Sequence, residues 1–337
     1  MKILYVTLIN KENALARNRH QLIHFVDKLG RMTDLYVYNR YGDMFQYATN
    51  VYNHYTQIKD AIDDIKPDLL FCYRSKRMLL EKPVKDIPVV FMEQEYPLWR
   101  TPDLVENIRR HNTKAIILTG WFPEAEKALG IPVYWLPFSA NEDYFYTDQV
   151  DHSTRKKEVC FFGVAPSNRI GGTYAYRVRR KAMQYLSTNG LMQKDPPAPE
   201  QKKSKWLIHP EKYPIELKSY CVALACAFNI LEQIPLKSFE IMASGTALLT
   251  QPYKPEITRR LFGKNPPYFT YKKDCTDIVH NARRILELDE YRVDMCKHAL
   301  HLVNTRHLHR HRVLELYEIL TAVLENRRHQ SQHFSYI

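Results

Sequence analysis

Apolar residues in this chain fall into two patterns. Short unbroken runs mark buried strands, and apolar positions spaced three and four apart mark helices with one buried face. The first run predicts a strand over 2–8. Residues 14–29 follow with Leu15, Leu22, Ile23, Phe25, Val26 and Leu29 on helical spacing and Gly30 as the stop. The same alternation continues. Strands are predicted over 35–38, 68–72, 87–92, 115–119 and 133–136, and helices over 55–65, 102–111 and 124–129. Strands joined through helices predict a doubly wound parallel sheet.

A polar stretch, 141–157, interrupts the pattern, which restarts with a buried strand over 158–163. An arginine-rich helix is predicted over 176–187. Residues 193–205 (QKDPPAPEQKKSK) carry three prolines and almost no apolar residue, so they read as an exposed loop. Strands then follow over 206–209, 222–228 and 246–250, with helices over 215–220, 236–243 and 256–261. Helices over 278–288, 291–303 and 312–325 close the chain. Two α/β units result, placed at 1–145 and 150–310, with 311–337 as a final helix and tail. No fixed-period repeat is present, which excludes a solenoid.

At 337 residues, 45% hydrophobic, the chain has room for two cores. Mean hydropathy is −0.45, and no apolar run approaches the length of a membrane span. The first apolar segment lacks a small-residue cleavage site and reads as a strand rather than a signal peptide. Six cysteines without a C-x-x-C pair suggest buried thiols in a reducing cytoplasm. The net charge of +12 is one-sided. The first 150 residues hold 19 basic and 19 acidic groups, so the whole excess lies beyond them. Such a half suits a polyanion or the phosphates of a small molecule.

The glycines are few, 10 in all, about 3% against a usual ~7%. Neither G-x-G-x-x-G nor a P-loop follows any predicted strand, which argues against a dinucleotide-dependent dehydrogenase or a P-loop NTPase. The most informative segment is 232–250. Glu232 and Glu240 stand eight apart, about 80° apart if both are helical, so both carboxylates could serve one face. Lys237-Ser238-Phe239-Glu240 starts a helix that Gly245 stops, and the apolar run 247–249 follows. After the strand at 158–163, Gly163 and Arg169 occupy a loop of the kind that binds ligands in α/β sheets. Arg169 and Arg177 have guanidinium forks suited to a pyrophosphate. His307, His309 and His311 alternate and do not converge, so no metal site is expected.

The 232–250 segment resembles the E-x7-E signature of retaining GT-B glycosyltransferases, and it is most similar to the CgeB-like branch. The resemblance covers roughly 60–320 in patches and is strongest over 205–315. Smaller echoes lie at Leu136-Pro137-Phe138 and in the basic run 304–312. It implies a GT-B fold, with two Rossmann-like domains facing across a cleft and a C-terminal helix crossing back. It also implies a nucleotide-sugar donor, UDP- rather than GDP-linked, with no bound cofactor. Glu240 would hold the ribose, Lys237 a phosphate, and Ser244, Gly245 and Thr246 would line the phosphates through backbone N–H groups. Glu232, a catalytic candidate, would sit near the sugar or the phosphates. In the first domain, Glu93 and Glu95 after the 87–92 strand are the catalytic candidates, while Tyr73, Arg74 and Tyr96 would meet the acceptor.

Several acceptors fit. Double-stranded DNA with hydroxymethylated pyrimidines, as used by viral DNA-modifying glycosyltransferases in the host cytoplasm, suits the basic half and the lysine-rich loop. An envelope polysaccharide, protein or lipid acceptor would place the basic face on an anionic membrane. A GT-B-like nucleic-acid-binding protein without transfer activity and a sugar-nucleotide epimerase are the readings outside transfer.

Overall fold

The computed structural model describes residues 1–7, 25–39, 47–52, 57–73, 83–93, 102–162, 174–192, 212–226 and 233–330. The described chain divides into two compact units. One holds residues 1–137 and the segment from His309 onward, and the other holds 138–308.

The first unit is built on a seven-stranded parallel sheet of order β3-β2-β1-β4-β5-β6-β7. Its strands are β1 (Lys2–Thr7), β2 (Asp34–Asn39), β3 (Asn50–Tyr52), β4 (Leu69–Tyr73), β5 (Val89–Glu93), β6 (Thr113–Leu118) and β7 (Val133–Trp135). The central strands are apolar on both faces, as a sheet covered on both sides requires. Helices α1 (Ile58–Ile65), α2 (Pro102–Arg110) and α3 (Ala125–Leu129) lie in the crossovers. Lys66 in the left-handed region ends α1, and Gly130 does the same for α3. Of the helix predicted over 14–29, residues 14–24 lie outside the described residues. Residues 25–27 are helical and Lys28–Arg31 continue as a 3₁₀ turn.

The second unit begins with the short helix α4 (Glu142–Phe145), capped by the Asn141 side chain. Its four-stranded parallel sheet has the order β11-β10-β9-β8. The strands are β8 (Lys156–Cys160), β9 (Tyr220–Ala225), β10 (Ala247–Thr250) and the two-residue β11 (Phe269–Thr270). Its longer helices are α5 (Tyr174–Thr188), α6 (Lys212–Lys218), α7 (Leu236–Ala243), α8 (Pro255–Phe262), α9 (Ile278–Glu287) and α10 (Asp289–Arg306). Val159, Val222, Leu224 and Leu249 pack with Ala182, Leu186, Ala282 and Ile285 in one buried cluster.

The last helix, α11 (His309–Leu324), belongs to the first unit. Val313, Leu316, Ile319, Leu320 and Val323 join Ile3, Tyr5, Leu35 and Phe71 in its core. Arg312 is fully buried, and its Nε donates to the Pro137 carbonyl at 3.0 Å. Beyond the helix, His329 Nε2 meets Glu315 Oε1 at 2.9 Å, pinning the described end of the tail to α11.

Two histidines are held neutral by the fold. His111 is buried at the end of α2, its Nδ1 accepts from the Val84 N–H at 3.1 Å, and burial followed by Arg110 and Lys85 pushes its pKa down to about 4. His152 is brought down to about 4 by burial, then by Arg155, Arg292 and Lys297. Both groups bind protons more tightly when unfolded. Their contribution is therefore complete above the unfolded value of 6.5 and declines as pH falls toward 4. The melting temperature is expected to drop steeply across that window. His111→Asn, whose Oδ1 can take the place of Nδ1, should flatten the drop in a pH series of thermal scans.

Candidate functional site

In a parallel sheet, ligands bind beyond the carboxyl ends of the strands, and in the second unit that edge gathers charge. Phe161 and Phe162 follow β8 directly. The Lys237 Nζ, one residue into α7, lies 4.3 Å from the Phe161 ring centroid and donates to the Phe162 carbonyl. The Arg179 guanidinium, from α5, lies 5.3 Å from the same ring. Two cations from two helices thus converge on one aromatic ring at the end of β8. Cys226, next after β9, is buried and accepts from the Tyr271 hydroxyl at 3.4 Å. Burial raises the Cys226 pKa, so the thiol stays protonated.

Glu240 sits one turn after Lys237 on α7 and is fully buried. Ser238 Oγ lies 2.8 Å from the Tyr253 hydroxyl, which also lies 3.0 Å from Thr250 Oγ1. These contacts tie the start of α7 to the end of β10. Burial raises the Tyr253 pKa well above that of a free phenol.

The turn Ser244-Gly245-Thr246 is placed otherwise than the sequence suggested. It closes α7 and enters β10, at the amino end of the strand, and no helix begins there. Its N–H groups bond back to the helix: Ser244 to Glu240 O at 3.0 Å, Gly245 to Met242 O at 3.1 Å and Thr246 to Ile241 O at 3.3 Å. With all three donors spent, the turn has none for a phosphate. Gly245 adopts φ +65°, and an added Cβ would lie 2.5 Å from Val150 Cγ2. Its glycine is demanded by the turn itself. Arg155, overlooked inside the polar stretch 141–157, explains the rest. Its guanidinium donates to Ser244 O at 3.0 Å, Gly245 O at 3.0 Å, Thr246 Oγ1 at 2.8 Å and Tyr220 O at 3.2 Å.

The other expected donor residues divide. Glu232 precedes α7 and lies outside the described residues. The helix α7 itself starts at Leu236, four positions after it in the chain. Gly163 and Arg169 also lie outside the described residues. Arg177 is exposed, and it is Arg179, two positions on, that reaches Phe161. The signal for it was helical phase: Arg179 stands next to Val178 and one turn before Ala182, both buried.

In the first unit, Glu93 ends β5 and is buried at 2% exposure, and its carbonyl accepts from the Thr119 N–H. Thr7, at the corresponding end of β1, is buried with no hydrogen-bond partner for Oγ1 among the described residues. It was not singled out from the sequence. Tyr73 ends β4 half-buried. Arg74, Glu95 and Tyr96 lie outside the described residues. The one group of side chains suited to a metal among the described residues is Glu315, Glu318 and His329 on α11 and the tail. All six cysteines are free and buried. Among the described residues no helix is long and apolar enough to cross a membrane.

Residues 188–318 match the glycosyl transferase-like family model. The chain also superposes on solved glycosyltransferases over nearly its whole length. Sucrose-phosphate synthase from Thermosynechococcus elongatus aligns over 96% of this chain and 99% of its own, with a TM-score of 0.61 and 10% identity. An alpha-glucosyltransferase in complex with UDP and a DNA 13-mer containing an HMU base aligns over 95% and 99%, with a TM-score of 0.64 and 11% identity. The DNA-modifying enzyme beta-glucosyltransferase, solved with and without its substrate uridine diphosphoglucose, aligns over 96% and 99%, with a TM-score of 0.60 and 13% identity. The chain has a GT-B fold, within which residues 188–318 match that glycosyl transferase-like model. At these identities the solved structures speak to the fold alone. A comparison with curated proteins finds no significant match.

Proposed function

We propose that the protein transfers a sugar from a UDP-sugar to a hydroxymethylated pyrimidine in DNA, with retention at the anomeric carbon. The observation that carries the donor half is the pair Lys237 and Arg179 over Phe161, at the carboxyl edge of the second sheet. Two fixed cations beside an aromatic ring match the charge that a nucleoside diphosphate gains as it leaves. Glu240, buried one turn from Lys237, is the ribose-binding candidate. Gly163 and Arg169 remain donor-side candidates, as Glu93, Glu95 and Glu232 do for catalysis and Tyr73, Arg74 and Tyr96 for the acceptor.

In the transfer, the bond from the anomeric carbon to the diphosphate oxygen breaks and a bond to the acceptor hydroxyl oxygen forms on the same face. The acceptor proton passes to the departing diphosphate. The protein groups stabilise the diphosphate charge, and no strong protein base is needed. A metal is not required by this scheme, because Lys237 and Arg179 supply the neutralising charge.

The DNA half rests on charge and on likeness. The excess of +12 falls beyond residue 150, and Arg177, Arg180 and Lys181 are exposed along α5. Two of the similar structures are a DNA-modifying enzyme and an enzyme bound to DNA. A cytoplasmic setting suits the six buried free thiols.

The test mixes the purified protein with UDP- and GDP-sugars and with plain, hydroxymethylcytosine or hydroxymethyluracil DNA, then digests the DNA and weighs the nucleosides. A hexose- or pentose-sized gain on a hydroxymethylated nucleoside is expected only with a UDP-sugar. Release of UDP without such a gain would keep the transferase and move the acceptor to an envelope polysaccharide, protein or lipid. Salt-sensitive DNA binding with neither gain nor release would overturn the enzyme in favour of a DNA-binding protein.

A further inference from the structure

Gln251 follows β10 directly, at the same carboxyl edge as the cation pair, and it is 2% exposed. Its Nε2 has no hydrogen-bond partner among the described residues. A buried amide N–H left without a partner is a cost to the free protein that an apolar side chain of similar length, such as methionine, would not carry. The polar groups beside it in the chain are, by contrast, spent on one another. Thr250 Oγ1 and Ser238 Oγ share the Tyr253 hydroxyl, and the Thr250 carbonyl accepts from the Tyr271 N–H.

We infer that the Gln251 amide is a donor held for the diphosphate of the bound nucleotide-sugar, an assignment that rests on the donor-site reading above. The segment that follows β10 is Gln251-Pro252-Tyr253-Lys254-Pro255. It has no glycine to let backbone approach a phosphate closely, and its two prolines have no N–H to offer. With backbone approach restricted in this way, a buried side-chain donor suits this strand end. A neutral amide also suits a place near two cations. It adds a hydrogen bond to the anion without a third positive charge to be held in place when the site is empty.

A residue kept unpaired for a ligand is a stability cost in the free protein and a gain in the complex. The two effects separate in one variant. Gln251→Met is expected to raise the melting temperature of the nucleotide-free protein by about 2–4 °C. The same variant should weaken UDP binding by about tenfold or more. Gln251→Glu, which sets a carboxylate against the phosphates, should weaken UDP by a further factor of about ten. Uridine, lacking phosphate, should bind wild type and both variants alike. Calorimetric titration with UDP and uridine, paired with thermal scans, reads all four quantities. A Gln251→Met variant that melts lower and binds UDP within twofold of wild type would show Gln251 to be structural and overturn the inference alone. Wild-type protein that binds no UDP would overturn the donor-site reading, and this assignment with it.

Discussion

Replacing Lys237 with alanine is expected to weaken UDP binding by about two orders of magnitude and to leave the fold intact. The ammonium is only half-buried, so its loss uncovers no apolar core. Its hydrogen bond to the Phe162 carbonyl fixes where the charge sits, 4.3 Å from the Phe161 ring centroid, with the Arg179 guanidinium 5.3 Å from the same ring. Two like charges brought this close repel when the site is empty. The ring face offsets part of that repulsion, and a dianionic diphosphate removes the remainder. Each charge-assisted bond to phosphate is worth about 1.5–3 kcal/mol, or roughly tenfold to a hundredfold in affinity. Arg179→Met should lose a similar factor. Arg177→Met, two positions away on the exposed face, should lose less than about twofold for free UDP, since an exposed charge is largely screened. Titration of UDP into the three variants at low and high salt separates these outcomes. Equal losses for Arg177 and Arg179 would mean that the guanidinium at Phe161 is not the phosphate ligand.

The contrast between those two arginines shows what the sequence can and cannot carry. Strand runs and helical spacing revealed both α/β units, and the helix predicted over 236–243 coincides with α7, Leu236–Ala243. The short strands β3 and β11, with three and two residues, lie in mainly polar sequence without the apolar run that marks β7, and they went unseen. Composition marked the helix at 176–187 as basic, but only its phase against Val178 and Ala182 selects Arg179 as the inward one. Gly245 carried two meanings at once, a helix stop and a phosphate ligand. Its φ of +65° and the spent N–H groups of the turn leave only the first. Arg155 was invisible because its buried partners lie 65 to 91 positions away. Gln251 reads as an ordinary loop residue until its burial and its unpaired amide are known.

Replacing Arg155 with methionine is expected to destabilise the second unit by roughly 4 kcal/mol. The guanidinium is 6% exposed, and burial is the main cause lowering its pKa. With no acid paired to it among the described residues, its charge is met by four buried oxygens, Ser244 O, Gly245 O, Tyr220 O and Thr246 Oγ1, and by the Asp151 carbonyl at 3.4 Å from Nε. Methionine matches the length of the stem but leaves those acceptors short of a donor. Each such loss costs about 1–3 kcal/mol, less what relaxation and water recover. Arg155→Lys keeps the charge but replaces a planar fork by a single ammonium, so it should recover less than half of the loss. With a urea dependence of about 2 kcal/mol/M, the methionine variant should unfold about 2 M earlier. The same variant distinguishes the two roles offered for the 244–246 turn. If the turn is a brace at the amino end of β10, UDP affinity measured on folded Arg155→Met in the cold should stay within about threefold of wild type. If the turn held phosphate, loosening it would cut affinity by at least the factor expected for Lys237, and the carboxyl edge would lose its claim to the donor.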